Sequence, residues 1–266
     1  MSFSESIEIV MENFVRRLSI RTALCMIAAF ASLSAAAEVI TAAVAANFTR
    51  TIEEIGARFT EETGHTIRFS FGPSGKLYAQ IRNGAPFELF FSADTEKPER
   101  LVSEGLATEP LLYARGRLAL FSPTLPVAQG WREVLEQGGF AHLAIANPRT
   151  APYGAAAVET LHALELLEAL RPKFVQGESI AHAFQFVATG NAALGFVALA
   201  QLVDPASPVF GKGEFWLVPQ DLHAPIDQAA VVLERGRASP AALAFMDYMR
   251  SPRAREIIER YGYSVP

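Results

Sequence analysis

Hydrophobic positions along this chain change period repeatedly, from continuous or alternating apolar runs to three- and four-residue spacing. The run from Val39 to Ala45 predicts a buried strand, and Ile52, Ile55 and Phe59 then recur at helical spacing until Gly64. The same reasoning predicts further strands at 66–71, 88–92, 118–121, 142–146, 193–198, 214–218 and 228–233.

Helical spacing also recurs between these strands. Gly72-Pro73-Ser74-Gly75 introduces a helix that carries Leu77 and Ile81 and ends at Asn83-Gly84. Longer apolar faces predict helices at 153–170 and 180–189. The C-terminal stretch 240–262 predicts two helices, because Ser251 followed by Pro252 is typical of a helix start.

This alternation of strands and helices predicts an α/β fold with mostly parallel sheets covered by helices on both faces. We expect two lobes rather than one sheet, because the apolar stretches 117–122 and 227–233 suit two crossing strands that carry the chain out and back. The interwoven βα lobes would comprise residues 38–118 plus 227–266 for lobe I and residues 119–226 for lobe II.

The N-terminal stretch 1–37 is predicted to be a secretory signal peptide. Arg16, Arg17 and Arg21 precede an apolar run at 22–33, and the small residues that follow favour cleavage between Ala37 and Glu38. The run is too short to span a bilayer. We therefore expect a periplasmic protein, with either Met1 or Met11 as its start.

Composition excludes several classes of function. The 266 residues carry 23 Lys and Arg against 28 Asp and Glu, a net charge of −5, without a basic block. Nucleic acid is therefore not an expected partner, since a phosphate backbone requires clustered cations. A single Cys excludes a disulfide framework and a multi-thiolate metal site.

Four predicted helix starts carry the candidate chemistry: Asn47, Ser74, Tyr153 and Ile180 each follow a strand or a short loop. A helix start leaves backbone N–H groups unpaired and carries a partial positive charge. Each start taken alone is an ordinary capped helix. If the four converge, they form an anion cage that needs no Lys or Arg, since several charge-assisted hydrogen bonds of about 1.5 to 3 kcal/mol each exceed the cost of association.

Enzyme signatures are weak. Gly72-Pro73-Ser74-Gly75-Lys76 resembles the end of a phosphate loop, but Ser70 stands at the first glycine position and Leu77 at the position of the hydroxyl. The chain has no G-x-S-x-G stretch and no H-E-x-x-H spacing. A phosphate-loop enzyme therefore stays only as the alternative from another class, and no catalytic residue is predicted.

Distinctive motifs lie in order along the chain at 43–49, 71–77, 84–94, 143–154 and 260–263. Together they make the chain similar to the periplasmic molybdate-binding proteins of molybdate ABC importers. The resemblance implies a type II periplasmic-binding-protein fold that closes over one tetrahedral oxyanion. It also implies no catalysis, no cofactor, an expected monomer, and an ABC permease in the inner membrane as the partner.

The same resemblance places the ligand contacts on the four helix starts. Asn47 and Ser74 would bind through side chain and backbone, and Tyr153 and Ile180 chiefly through backbone N–H groups. Metal would be held only as molybdate or tungstate, through the oxygens. One branch of the family has a tyrosine where this chain has Ala198, which either lowers affinity or is compensated by Asn47.

A cage of donors suits an anion without protons of its own. Molybdate and tungstate offer only acceptors, whereas phosphate keeps a proton that would face a donor. Sulfate is smaller and would stretch its hydrogen bonds, so a binder of sulfate or thiosulfate is the alternative. Lys76 and Arg149 lie beside the predicted site and are candidates for steering the anion.

Overall fold

The computed structural model describes residues 37–265, so the predicted signal peptide lies outside the described residues except for Ala37. The strands in this range are β1 (Val39–Ala45), β2 (Thr66–Gly72), β3 (Leu89–Phe91), β4 (Leu111–Gly116), β5 (Leu118–Ser122), β6 (Leu143–Ala146), β7 (Phe174–Gly177), β8 (Leu194–Ala198), β9 (Glu214–Leu217) and β10 (Ile226–Val232).

The helices alternate with these strands. They begin where the spacing of apolar residues changes from every second residue to every third or fourth residue. Short 3₁₀ turns supplement them, among them Ala46–Phe48 directly after β1. The α-helices are α1 (Thr49–Thr63), α2 (Ser74–Arg82), α3 (Glu96–Ser103), α4 (Val127–Gln137), α5 (Pro152–Ala163), α6 (Leu167–Leu170), α7 (Ile180–Ala188), α8 (Leu199–Val203), α9 (Pro240–Tyr248) and α10 (Pro252–Arg260).

Two five-stranded sheets organise the chain, in the orders β2-β1-β3-β10-β4 and β7-β6-β8-β5-β9. In the first sheet β1 is parallel to β2 and β3, while β10 is antiparallel to β3 and β4. In the second sheet β6 is parallel to β7 and β8, while β5 is antiparallel to β8 and β9. The predicted α/β fold of two βα lobes is confirmed, and each sheet is mixed.

The chain passes twice between the two sheets. It leaves the first sheet at the end of β4 and enters the second at β5 after Arg117, and it returns through residues 218–225 into β10. Leu118 therefore pairs in the second sheet and Ile226 in the first. Because the chain leaves the first sheet and later returns to it, the first lobe is built from two separated stretches of sequence and the second lobe from one continuous stretch.

Several elements differ from the sequence prediction for local reasons. Strands β4 and β7 were not predicted, because their buried residues do not alternate with exposed ones along the strand. Helices α3 and α4 were not predicted either, and both are largely exposed. The predicted helix 153–170 is broken after Ala163, since Glu165 adopts a left-handed backbone with φ of 62°. This break turns α6 so that Leu167 and Leu170 reach the core.

Each sheet has its own apolar core. The first core includes a cluster of rings in which Phe59 and Phe91 both contact Phe245 edge to face. In the second lobe Trp131 and Trp216 stack with ring centroids 3.8 Å apart. No helix within residues 37–265 combines the length and the apolar character needed to cross a membrane. Burial of these cores fixes the ends of the parallel strands, where the candidate site lies.

Candidate anion-binding site

The four residues predicted to bind an anion line one small cavity between the two sheets. The space between the atoms there is about 200 Å³. Such a cavity suits a guest of a few atoms. Its lining consists of Ala45, Ala46, Asn47, Gly72, Pro73, Ser74, Ala93, Ala151, Pro152, Tyr153, Ser179 and Ile180.

Asn47 and Ser74 form the wall that belongs to the first sheet, which we call the first wall. Asn47 lies in the 3₁₀ turn after β1, and Ser74 is the first residue of α2, after β2. Strands β1 and β2 are parallel neighbours, so both turns lie at the same edge of the sheet. Asn47 is 5% exposed and Ser74 is 1% exposed.

The Ser74 hydroxyl is positioned by the strand beside it. Its Oγ accepts a hydrogen bond of 2.9 Å from the backbone N–H of Ala93. A serine hydroxyl that accepts in this way keeps its own proton for another acceptor. Ser74 therefore offers two donors to the cavity, its hydroxyl proton and its backbone N–H at the start of α2.

Tyr153 and Ile180 form the wall that belongs to the second sheet, which we call the second wall. Tyr153 follows Pro152 at the start of α5, and Ile180 is the first residue of α7, where the Ser179 side chain accepts a 3.2 Å hydrogen bond from the backbone of His182. Among residues 37–265, the backbone N–H groups of Tyr153 and Ile180 have no acceptor. Both helices therefore point free donors at the cavity.

Close packing at Gly154 holds the start of α5 in place. A Cβ atom at this position would collide with the backbone carbonyl of Ala146 at the end of β6, so only glycine allows the approach. The Tyr153 N–H group is therefore set by backbone contact between α5 and β6. The side chain at position 153 does not determine where this donor lies, because the donor belongs to the backbone.

A buried polar network continues from the first wall. Asn47 Nδ2 donates to Gln228 Oε1 at 2.8 Å and to the Tyr263 hydroxyl at 3.2 Å, and the Tyr263 hydroxyl donates to the Asn47 carbonyl at 2.8 Å. Gln228 Nε2 donates to the Tyr153 hydroxyl at 3.4 Å, and the Tyr113 hydroxyl donates to Gln228 Oε1 at 3.0 Å. The network joins both walls, β10 and the C-terminal tail.

The tyrosines of this network stay protonated at neutral pH. Burial raises the pKa of Tyr113, Tyr153 and Tyr263 above its usual range, because an ionised phenol in the interior loses its hydration. Gly116, at the end of β4, leaves room for the Tyr153 hydroxyl, since a Cβ atom there would collide with it. The Tyr153 side chain is thus anchored at one of the two connections between the sheets.

Charge is kept outside the cavity. None of its lining residues is Lys, Arg, His, Asp or Glu, so any anion inside would be neutralised by dipoles alone. Within residues 37–265 no cluster of three His, Cys, Asp or Glu could hold a bare metal ion. An adjoining groove, with about 780 Å³ of space between its atoms, shares Ala93, Ala151 and Pro152 with the cavity, and its lining includes the charged residues Lys97 and Arg149.

Two contacts join the walls at the rim of the cavity. The backbone N–H of Gly75 donates to the Thr150 carbonyl at 2.9 Å. Lys76 Nζ lies 2.6 Å from Glu178 Oε2, and this neighbour lowers the pKa of Glu178 by hydrogen bonding and by charge. Lys76 is therefore paired rather than free, while Arg149 is exposed.

The sequence prediction missed the residues that support the site. Gln228 lies where the register between β10 and β4 shifts, and such a bulge redirects side chains in a way that local pattern does not indicate. Tyr113 lies on an unpredicted strand. Tyr263 belongs to one of the stretches that carry the family resemblance, but nothing in its local sequence indicates contact with Asn47. Ala198 lies at the end of β8 and is fully buried.

Fold and site together define a binding protein of the two-sheet type, and comparison with known proteins specifies its family. A family model described as "Bacterial extracellular solute-binding protein" matches residues 40–264. The chain therefore belongs to this family of solute-binding proteins.

Its relatives include proteins named for one oxyanion. The chain is 48% identical over 244 residues to the molybdate-binding protein ModA of Rhodobacter capsulatus, covering 91% of this chain and 94% of that protein. It is 50% identical over 225 residues to the ModA protein of Azotobacter vinelandii, covering 84% and 88%. The solved structure of the periplasmic molybdate-binding protein of Azotobacter vinelandii superposes with a TM-score of 0.81 at 38% identity, covering 85% of this chain and 99% of that chain.

Proposed function

We propose that this protein captures molybdate or tungstate in the cavity between its two walls and delivers it to an ABC permease in the inner membrane. The observation that carries the proposal is the convergence of Asn47, Ser74, Tyr153 and Ile180 on one small cavity without a charged side chain. The names of the relatives support the choice of guest. The residues contact the oxygens of the anion, so the metal has no direct protein ligand.

The donors available fit an anion that has acceptors only. Ser74 supplies a hydroxyl and a backbone N–H, and Tyr153 and Ile180 supply backbone N–H groups without another acceptor. A protonated phosphate would set one of its own protons against one of these donors and leave both unpaired. Sulfate is smaller than molybdate, so it would stretch the bonds to one wall.

The remaining features of the proposal follow from a binding role. No bond of the guest is made or broken, so the protein needs neither catalytic residues nor a cofactor. It acts as a monomer in the periplasm after removal of residues 1–37, and nucleic acid is not a partner. The lobes that close over the guest comprise residues 38–118 plus 227–266 and residues 119–226.

Isothermal titration calorimetry with molybdate, tungstate, sulfate and phosphate tests this proposal. We expect micromolar or tighter dissociation constants for molybdate and tungstate, about −8 kcal/mol or better. Sulfate and phosphate should bind at least about a hundredfold more weakly, since each loses one or more charge-assisted hydrogen bonds. Molybdate that binds no tighter than sulfate would contradict the proposed guest, and measurable turnover of a phosphate ester would contradict the binding role.

A further inference from the structure

Asn47 and Gln228 face each other through their side-chain amides behind the first wall. Asn47 Nδ2 lies 2.8 Å from Gln228 Oε1, and Gln228 is fully buried. The opposite end of the Asn47 amide, Oδ1, makes no hydrogen bond to another residue between 37 and 265, and Asn47 lines the cavity. In this orientation the amide offers its acceptor end to a guest.

An acceptor is the wrong group for an anion that has acceptors only. If the Asn47 amide alone made a half turn, its NH₂ group would face the cavity, but its oxygen would then lie 2.8 Å from the oxygen of Gln228. Two acceptors at that distance without a proton between them repel each other. The amides of Asn47 and Gln228 can therefore turn only together.

The hydroxyl groups around Gln228 allow this joint turn. The Tyr113 hydroxyl lies 3.0 Å from Gln228 Oε1 and 3.1 Å from the Ser92 carbonyl, so its single proton faces two acceptors. After the turn, Gln228 donates to Tyr113 and Tyr113 donates to Ser92. The Tyr153 hydroxyl, now 3.4 Å from the nitrogen of Gln228, would donate to its oxygen.

The turn also creates one unfavourable contact. The single proton of the Tyr263 hydroxyl would face both the Asn47 carbonyl at 2.8 Å and the turned side-chain oxygen of Asn47 at 3.2 Å. Each orientation of the amide pair thus leaves one oxygen–oxygen contact without a proton. Neither orientation is therefore favoured by the number of its hydrogen bonds, and a guest with acceptors only would select the one in which Asn47 donates.

We propose that Gln228 is a positioning residue for the anion: it determines which end of the Asn47 amide faces the cavity, and a bound oxyanion selects the orientation in which Asn47 donates. This inference rests on the proposed function, since it needs a guest with acceptors at the cavity. Gln228 does not line the cavity, so it acts through Asn47.

The variant Gln228→Met tests this role because it keeps the length of the side chain and removes both its donor and its acceptor. In the variant no donor replaces the Gln228 NH₂ group beside the turned side-chain oxygen of Asn47, whereas Tyr263 still accepts from the Asn47 NH₂ group in the unturned orientation. We expect the dissociation constant for molybdate to rise about ten- to a hundredfold, the effect of one lost hydrogen bond to an anion. Thr160→Val is the matched control, since it deletes a buried hydrogen bond of 2.8 Å on α5 away from the cavity. It should change the dissociation constant by less than about twofold.

Nuclear magnetic resonance of ¹⁵N-labelled asparagine and glutamine side chains distinguishes a joint turn of the two amides from a purely structural role. In the wild type, the NH₂ signals of Asn47 and Gln228, assigned by their loss in Asn47→Ser and Gln228→Ala, should both shift when the anion binds, although Gln228 does not line the cavity. The wild-type signals give this result even if Gln228→Met fails to fold. Unmoved Asn47 or Gln228 signals in the wild type, or a Gln228→Met affinity within about twofold of the wild type, would overturn the inference.

The choice of anion separates this inference from the proposed function. If the wild type binds sulfate rather than molybdate, the proposed function fails, and the same variant and the same resonances are then measured with sulfate. If it binds molybdate and the Asn47 signals do not move, the inference alone fails. A wild type that binds none of the tetrahedral anions overturns both.

Discussion

The two walls of the cavity offer hydrogen-bond donors from different parts of the chain, and in the proposed binding mode both contact the same guest. The first wall presents side chains, the Ser74 hydroxyl and the Asn47 amide, and both are oriented by hydrogen bonds to Ala93, Gln228 and Tyr263. The second wall presents backbone N–H groups of Tyr153 and Ile180 at the starts of α5 and α7. One wall is thus specified by side-chain chemistry and the other by the position of the backbone.

This difference teaches where the site tolerates change. A side chain on the first wall carries a donor, so removing it removes a bond to the guest. On the second wall the donor belongs to every residue type except proline, so a substitution matters only when it moves the helix. The residue type at a binding position therefore matters on the first wall and much less on the second wall.

The largest effect should come from moving the second wall. In Gly154→Ala the new methyl group collides with the Ala146 carbonyl, so the start of α5 shifts. The backbone N–H groups at this helix start then no longer point at the cavity. We expect stability to fall by about 1–3 kcal/mol and molybdate affinity to fall by more than about a hundredfold. Thermal unfolding and calorimetry measure the two changes.

Gly130→Ala is the matched control for that variant. Gly130 lies in α4, and a Cβ atom there would meet nothing closer than the Pro126 ring at 3.9 Å. This substitution should stabilise the protein by about 0.5–1 kcal/mol, because alanine favours a helix more than glycine does. Wild-type affinity in Gly154→Ala would show that the position of the α5 start does not determine binding.

Next in size is the contrast between one side chain from each wall. Ser74→Ala deletes the hydroxyl that accepts from Ala93 and points its proton at the cavity, so affinity should fall about ten- to a hundredfold. Ile180→Val leaves the backbone N–H in place, and affinity should stay within about threefold although stability falls by about 0.5–1.5 kcal/mol. Equal losses of affinity in the two variants would contradict the view that the first wall binds through side chains and the second wall through backbone N–H groups.

A smaller effect is expected at the rim, where Lys76 and Glu178 pair across the walls at 2.6 Å. Both side chains are well exposed, so loss of the pair in Glu178→Gln should speed release of the anion by less than about fivefold. Lys76→Met should weaken binding more than Glu178→Gln does, because it leaves an unpaired carboxylate beside the anion. Stopped-flow displacement of molybdate measures both, and the reverse order would contradict this reading of the rim.

Acid should weaken the same contact. Lys76 lowers the pKa of Glu178 across the rim, so the contribution of the pair is present above the ordinary glutamate pKa of about 4.3 and is lost as pH falls through the lowered value. The dependence of release on pH should therefore be weaker in Glu178→Gln than in the wild type, where both the pair and the anion respond to acid. The same pH dependence in the two proteins would contradict a contribution from this pair.

The smallest effect is expected from pH near neutrality. The pKa values of Tyr113, Tyr153 and Tyr263 are raised by burial, so the network behind both walls keeps its protons. Affinity should be constant between about pH 6 and about pH 9, and stability should fall as pH rises above the ordinary tyrosine pKa of about 10, because only the unfolded chain then loses these protons. Affinity that changes across the neutral range would implicate another titrating group.

Much of the secondary structure could be predicted from the sequence, and the exceptions lack a clear apolar period. Strands such as β1 and helices such as α1 carry an apolar period because one side of each packs on a core. Strands β4 and β7 lack that period, since their buried residues do not alternate with exposed ones. The sequence also did not indicate the break in the predicted helix 153–170 at Glu165. The burial of α6, rather than local helix propensity, determines where this helix breaks.

The sequence by itself determined the alternation of strands and helices and the four residues at helix starts, because capping, glycine and apolar period act within a few neighbouring residues. Only the tertiary structure decided that these residues meet at one cavity and that Asn47 contacts Gln228 and Tyr263, which lie 181 and 216 positions further along the chain. Contacts over such separations depend on strand order and on the packing of two cores. No local pattern encodes them, and the orientation of the Asn47 amide depends on them.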